Sequence, residues 1–208
     1  MKRVISLVVV LAMVLAVPVL AGAEDSFGVG SAQGNSYWND ALQIGCTMSD
    51  EWYFYTDEEI MENVQSTAGQ LKEELAEMVK EAGTMMDMMA VNTETGENVN
   101  VNLERLSLAN SLLMTESAYV EVSLNQIKQL ADTLEQLGME DISVETGEME
   151  FLGETHACLR VHGSLQGIDM YETLVVVKTG RTMIAVTACS YWEDTTEEIL
   201  SNFYREQP

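Results

Sequence analysis

The sequence predicts an α+β fold in which one antiparallel β-sheet is flanked by helices on both faces, a three-layer α/β/α sandwich. Three observations carry this expectation. First, residues 153–192 read as three consecutive strands, Thr155–Leu165, Ile168–Lys178 and Thr182–Tyr191. They are rich in β-branched and aromatic residues and are broken at Gln166-Gly167 and Thr179-Gly180-Arg181, as hairpins require. Second, Met183, Ala185, Thr187 and Cys189 alternate in the last strand with Ile184, Val186, Ala188 and Ser190. Neither set is the polar series that a water-facing side would carry, so both faces are expected to be covered. Third, amphipathic helical stretches interrupt and follow the strands, and they are the natural covers.

In chain order, Met1-Lys2-Arg3 precedes an apolar run from Val4 to Leu20, and Ala21-Gly22-Ala23 follows. This is the pattern of a signal peptide cleaved after Ala23. A retained anchor is the rival. The run is 17 residues long, the lower limit of a membrane span, and the small residues and Pro18 favour cleavage. Residues 24–36 hold Gly28, Gly30 and Gly34 among polar residues and read as a flexible leader. One domain is expected from 37 to 208. Leu42, Ile44 and Cys46 alternate in a first strand over Ala41–Met48, and Trp52-Tyr53-Phe54-Tyr55 is a short extended segment. Such aromatic clusters close a core or, less commonly, bind sugars.

Thr56-x-x-Glu59 is a capping box that opens a helix bearing Ile60, Met61 and Val64. A second helix is expected over Gln70–Ala82, ended by Gly83. Met85–Val91 and Val99–Leu103 read as a hairpin whose valines point inward and whose asparagines, Asn100 and Asn102, point outward. Leu106–Met114 fits neither period and is expected to be a packed loop. Thr115 caps the longest helix, Glu116–Leu137, whose apolar stripe runs from Val120 to Leu137 with Gly138 beyond it. Ile142–Leu152 enters the sheet, with Gly147 as a bend or bulge. Asp194-x-x-Glu197 caps a last helix.

The chain has 34 Asp and Glu against 10 Lys and Arg, a formal charge of −24; removal of Lys2 and Arg3 with the signal peptide makes it −26. Phosphate binding needs clustered cations, so this balance argues against nucleic acid and against anionic membranes as partners. It suits solubility outside the cell, and capture of a cationic partner or a metal is the sharper alternative. Three cysteines, Cys46, Cys158 and Cys189, allow at most one internal disulfide. Cys158 and Cys189 fall on strands separated by a third, about 10 Å apart and too far to bond. Cys46 with either partner, or three free thiols, remain open.

Trp52, Thr56-Asp57-Glu58-Glu59, Asn98-Val99-Asn100-Val101 and the stretch Thr182–Thr187 resemble the PsbP-like α/β/α sandwich. That fold is shared by an extrinsic subunit of the photosystem oxygen-evolving complex and by a nuclear-import factor that binds the Ran GTPase. The chain is more similar to small exported proteins of anaerobic Gram-positive bacteria, many lipid-anchored and without an assigned function. This chain lacks their anchor cysteine. The resemblance covers about Tyr37 to Tyr204 and implies a fold, with no catalytic residues to carry over.

Strand parity sets His156, Cys158, Arg160 and His162 on one face. His156 and Cys158, about 7 Å apart, could share one zinc or copper ion with a third ligand such as His162 or Cys189. Half-buried strand residues are the plainer account. Met85-Met86-Asp87-Met88-Met89 could suggest soft-metal binding, yet successive strand residues face opposite ways, so core filling fits better. No nucleophile elbow, phosphate loop or zinc-protease motif occurs. The expectation is therefore a secreted, non-enzymatic binding module with an acidic surface and without a cofactor. Its partner would be an unidentified protein or small molecule, with no stable membrane anchor after cleavage. The alternative is an exported metal-binding protein using His156, Cys158 and His162.

Overall fold

A computed structural model describes residues 30–69, 76–77, 86–136 and 138–205. The signal-peptide run, residues 24–29 and most of the helix expected over Gln70–Ala82 lie outside the described residues. The strands are β1 (Ser31–Gln33), β2 (Ser36–Asn39), β3 (Ile44–Thr47), β4 (Trp52–Phe54), β5 (Met86–Asn92), β6 (Asn98–Arg105), β7 (Met139–Phe151), β8 (Glu154–Leu165), β9 (Ile168–Thr179), β10 (Thr182–Tyr191) and β11 (Phe203–Tyr204). Among the described residues there are four helices: α1 (Asp57–Ala68), α2 (Leu108–Leu113), α3 (Glu116–Gln136) and α4 (Thr196–Leu200). The strands form two antiparallel sheets, one of seven ordered β4-β5-β6-β10-β9-β8-β7 and one of four ordered β1-β2-β3-β11.

The meander β8-β9-β10 lies where sequence placed it, with two-residue turns. Gln166 and Gly167 both have positive φ, 55° and 79°, the primed geometry that matches strand twist. β10 lies between β6 and β9, and residues 183–190 are all buried. Both its faces are indeed covered. Met183, Ala185 and Cys189 pack with Tyr119, Val120, Leu124 and Ile127 of α3. Ile184, Val186 and Ala188 pack with Tyr37, Ile44 and Cys46 of the small sheet and with Ile199 and Leu200 of α4.

That second cover corrects the expected architecture. Helices do not flank both faces: one side of the large sheet carries α3, and the other carries a second sheet with a single short helix. The three-layer α/β/α sandwich is therefore overturned. The physical reason lies in the segment expected to be a flexible leader. Ser31–Gln33 pairs with Ser36–Trp38 around Gly34, whose φ is +62°. Tyr37 is buried, and its hydroxyl donates to the Asp87 carboxylate at 2.5 Å. Desolvation, then the charge of Asp87, pushes its pKa upward. The close approach of β2, β3 and β11 needs Gly45, where a Cβ would meet the Tyr37 carbonyl oxygen at 2.5 Å.

Local signals fare differently. The capping box forms: Glu59 N–H donates to Thr56 Oγ1 at 3.3 Å and Thr56 N–H to Glu59 Oε2 at 2.8 Å. Ala118 N–H donates to Thr115 Oγ1 at 3.1 Å, capping α3. The expected Asp194 cap does not form: the N-cap of α4 is Thr195, without a side-chain cap bond, and Asp194 Oδ1 instead accepts from Thr196 N–H at 3.1 Å. The Leu106–Met114 loop is instead the helix α2, none of whose residues is buried. The asparagines of β6 do not face water. Asn98, Asn100 and Asn102 are buried on the side facing α3, with Asn102 Nδ2 donating to Asn100 Oδ1 at 2.7 Å.

Glu172 joins this polar strip. It lies opposite Cys189 in register and is 1% exposed. Burial pushes its carboxyl well above the usual carboxylate range. An unfolded chain ionises this group near pH 4.3, whereas the folded chain releases the proton only at a higher pH. Its contribution to stability is therefore full below that pH and is lost progressively as pH rises toward the folded value, at up to about 1.4 kcal/mol per pH unit. Glu172→Gln should be more stable than the parent at neutral pH, with the gap closing toward pH 4. Urea denaturation across that range checks it, and parallel stability curves would refute the assignment.

Candidate functional site

A cleft of about 990 Å³ lies between the β7–β8 hairpin and the α4–β11 segment. Its apolar side is built from alternate residues of β7. Met149 and Phe151 turn toward the small sheet, because a strand sends every second side chain to one face. Phe151 packs on Phe203 with centroids 5.6 Å apart. Leu200, Leu152 and Tyr204 complete that wall.

The polar side is organised by Arg160 on β8. Its Nη2 donates to Glu197 Oε1 of α4 at 2.7 Å, and its Nη1 donates to Cys158 Sγ at 3.1 Å. The hydrogen bond to Glu197 raises the pKa of the guanidinium further. Cys158 is fully buried. Desolvation lifts its thiol pKa while the Arg160 charge works against the lift, so it is held as the thiol and is a poor nucleophile at neutral pH. Gly147 makes the arrangement possible. It lies opposite Cys158 in register, and a Cβ there would meet Arg160 Nη1 at 3.2 Å. The irregularity of β7 falls between Glu140 and Ser143, so Gly147 is a clearance residue and not the expected bulge. Arg205, Glu148 and Glu150 also line the cleft.

The residues singled out as possible metal ligands are not gathered. His156 is buried and its Nδ1 lies 3.1 Å from both carboxylate oxygens of Glu116, the first residue of α3. Cys158 is held by Arg160. His162 is half-buried, stacks on Tyr171 at 4.7 Å and lies 3.6 Å from Asp169. Among the described residues no three His, Cys, Asp or Glu side chains converge on one point. Neither histidine lines the cleft. Cys46, Cys158 and Cys189 are free thiols, and Cys189 faces α3 while the other two face the small sheet.

Met88 and Met89, from the methionine cluster, are both buried. In the aromatic segment Phe54 joins the core, and Tyr53 packs edge-on to Tyr55 at 5.3 Å while donating to Glu59 at 2.7 Å. Sequence reasoning missed the cleft because β7, β8, α4 and β11 each supply only a few of its residues. Arg160 in an otherwise acidic chain was the available signal.

No protein-family model matches this chain, and no curated protein matches it. Among solved structures it is similar to the solution structure of cyanobacterial PsbP (CyanoP) from Synechocystis sp. PCC 6803. The identity is 12% and the TM-score 0.44, over 90% of this chain and 98% of that one. It is also similar to LpqN, involved in cell envelope biogenesis of Mycobacterium tuberculosis. Here the identity is 9% and the TM-score 0.39, over 76% of this chain and 75% of that one. These likenesses concern the path of the chain, and no ligand or activity is taken from them.

Overfilling the Gly147 clearance should be costly. Gly147→Val is expected to lower stability by about 1–3 kcal/mol, measured by urea denaturation. The loss should shrink in an Arg160→Ala background, where the guanidinium is gone. An equal loss in both backgrounds would show that Gly147 serves the backbone alone.

Proposed function

We propose that this chain is an exported, non-enzymatic binding module. Its cleft takes up a ligand with an apolar body and one anionic group, either a small molecule or an exposed group on a protein. The observation that supports this reading is the pairing of an apolar wall, Met149, Phe151 and Leu200, with a guanidinium fixed at its edge by Glu197 and Cys158. Ligand sites commonly combine apolar walls with a few placed polar groups. A planar guanidinium suits a carboxylate, sulfonate or phosphate. Export is the part of the proposal that rests on the first 23 residues of the sequence. The acidic remainder of the surface is assigned to solubility.

Anilinonaphthalene sulfonate, an anionic aromatic dye, is a direct probe. Its fluorescence should rise on binding to the native protein at neutral pH. Ser201→Trp, at an exposed position on the cleft wall, should block the site. Arg160→Gln should weaken binding about tenfold or more, the scale of a lost charge-assisted hydrogen bond. Dye binding unchanged in both variants, with native circular dichroism, would exclude the cleft as the site.

A further inference from the structure

The helix α2 stands apart from the core. Leu108, Leu112 and Leu113 are 67%, 80% and 80% exposed, and none of the helix residues is buried. Exposed apolar clusters of this kind mark interaction surfaces. Beside them the chain places its scarce cations. Of the described basic residues, Arg105, Lys128, Arg160, Lys178, Arg181 and Arg205, three lie at this end of the large sheet. Lys178 Nζ donates to the Ser111 and Met114 carbonyl oxygens, both at 2.6 Å, and so binds the end of α2. Arg181 Nε donates to the Leu106 carbonyl oxygen at 3.0 Å. Arg105 ends β6 opposite Thr182.

Described acids lie at this end too, buried Glu104 among them. Glu116 accepts from the Lys178 backbone N–H at 2.8 Å and faces His156, and exposed Glu154 lies 3.9 Å from His156 Nε2. Asp87 accepts from Gly30, Tyr37 and Asn39. That last contact is informative in a second way. Met86, beside Asp87, pairs with Asn102 near the end of β6. Gly30 is thus held at the same end as α2.

We propose that the α2 tip is a membrane-contact element: Leu108, Leu112 and Leu113 enter the interfacial region of a bilayer while Lys178 and Arg181 meet lipid phosphates. A leucine tip with a cationic collar has the chemistry of an interfacial anchor. The overall charge opposes an anionic surface, but at physiological salt charges beyond about 8–10 Å are screened, so the local collar decides. The proposal is independent of the cleft, with which it shares no residue.

The test uses the full chain with Leu112→Cys carrying an NBD fluorophore, the three native thiols being buried. Vesicles of phosphatidylcholine with phosphatidylglycerol should raise and blue-shift its emission, and shallow spin-labelled lipids should quench it. The lipid concentration at half-effect should be at least tenfold lower than with phosphatidylcholine alone. Lys178→Gln with Arg181→Gln should remove that preference, with folding checked by circular dichroism. A label that stays in water while the chain sediments with vesicles through residues 4–20 would overturn the proposal. So would equal partition onto both vesicles. A label already shielded before lipid is added would assign the leucines to the chain's own apolar run or to a second copy, and would overturn it equally.

Discussion

β10 holds the molecule to one architecture because its side chains give the large sheet no side that can meet water. Each fully buried Val, Ile or Met is worth about 1.5–3 kcal/mol only if its partner surface is present. Two covers must therefore form together. α3 supplies one through a conventional apolar stripe. The other is assembled from β1, β2, β3, β11 and α4, which come from opposite ends of the described chain. Folding of the termini and completion of the core are consequently one event, joined at the β3–β11 pairing of Cys46 with Phe203.

Much of this was legible in the residues. The meander was readable because β-branched runs and glycine turns are local signals, and the Thr56 and Thr115 caps were readable because a capping side chain acts within one helical turn. The nature of the second cover was not readable. Gly30, Gly34 and Ser36 have the composition of a linker, and distant partners, the Asp87 carboxylate, the Met48 carbonyl and Thr47 of β3, give their neighbourhood a reason to order. The asparagines of β6 failed for a related reason. Alternation told which residues share a face, but it cannot tell whether water or a helix lies over that face. The polar strip is buried beside Glu172 and Tyr119, with Asn102 donating to Asn100. α2 was too short for a period to show.

The candidate cleft and the α2 tip illustrate two ways in which an acidic protein can place positive charge. Arg160 is neutralised by Glu197 and braced by Cys158, so its direction is fixed while its charge is locally balanced. Lys178 and Arg181 are instead bound to backbone carbonyls, which orient them without cancelling their charge. The first arrangement favours selection of a shape, and the second leaves a field that extends outward.

The three sulfhydryls give the molecule an internal record of its own breathing. Cys189 lies under the helical cover, whereas Cys46 and Cys158 lie under the sheet cover. An alkylating reagent reaches each only when the layer above it lifts. Relative modification of the three positions therefore distinguishes loss of one lid from loss of the other, without any engineered label. With its sulfur shut inside, the described fold owes its durability to packing and not to cross-links.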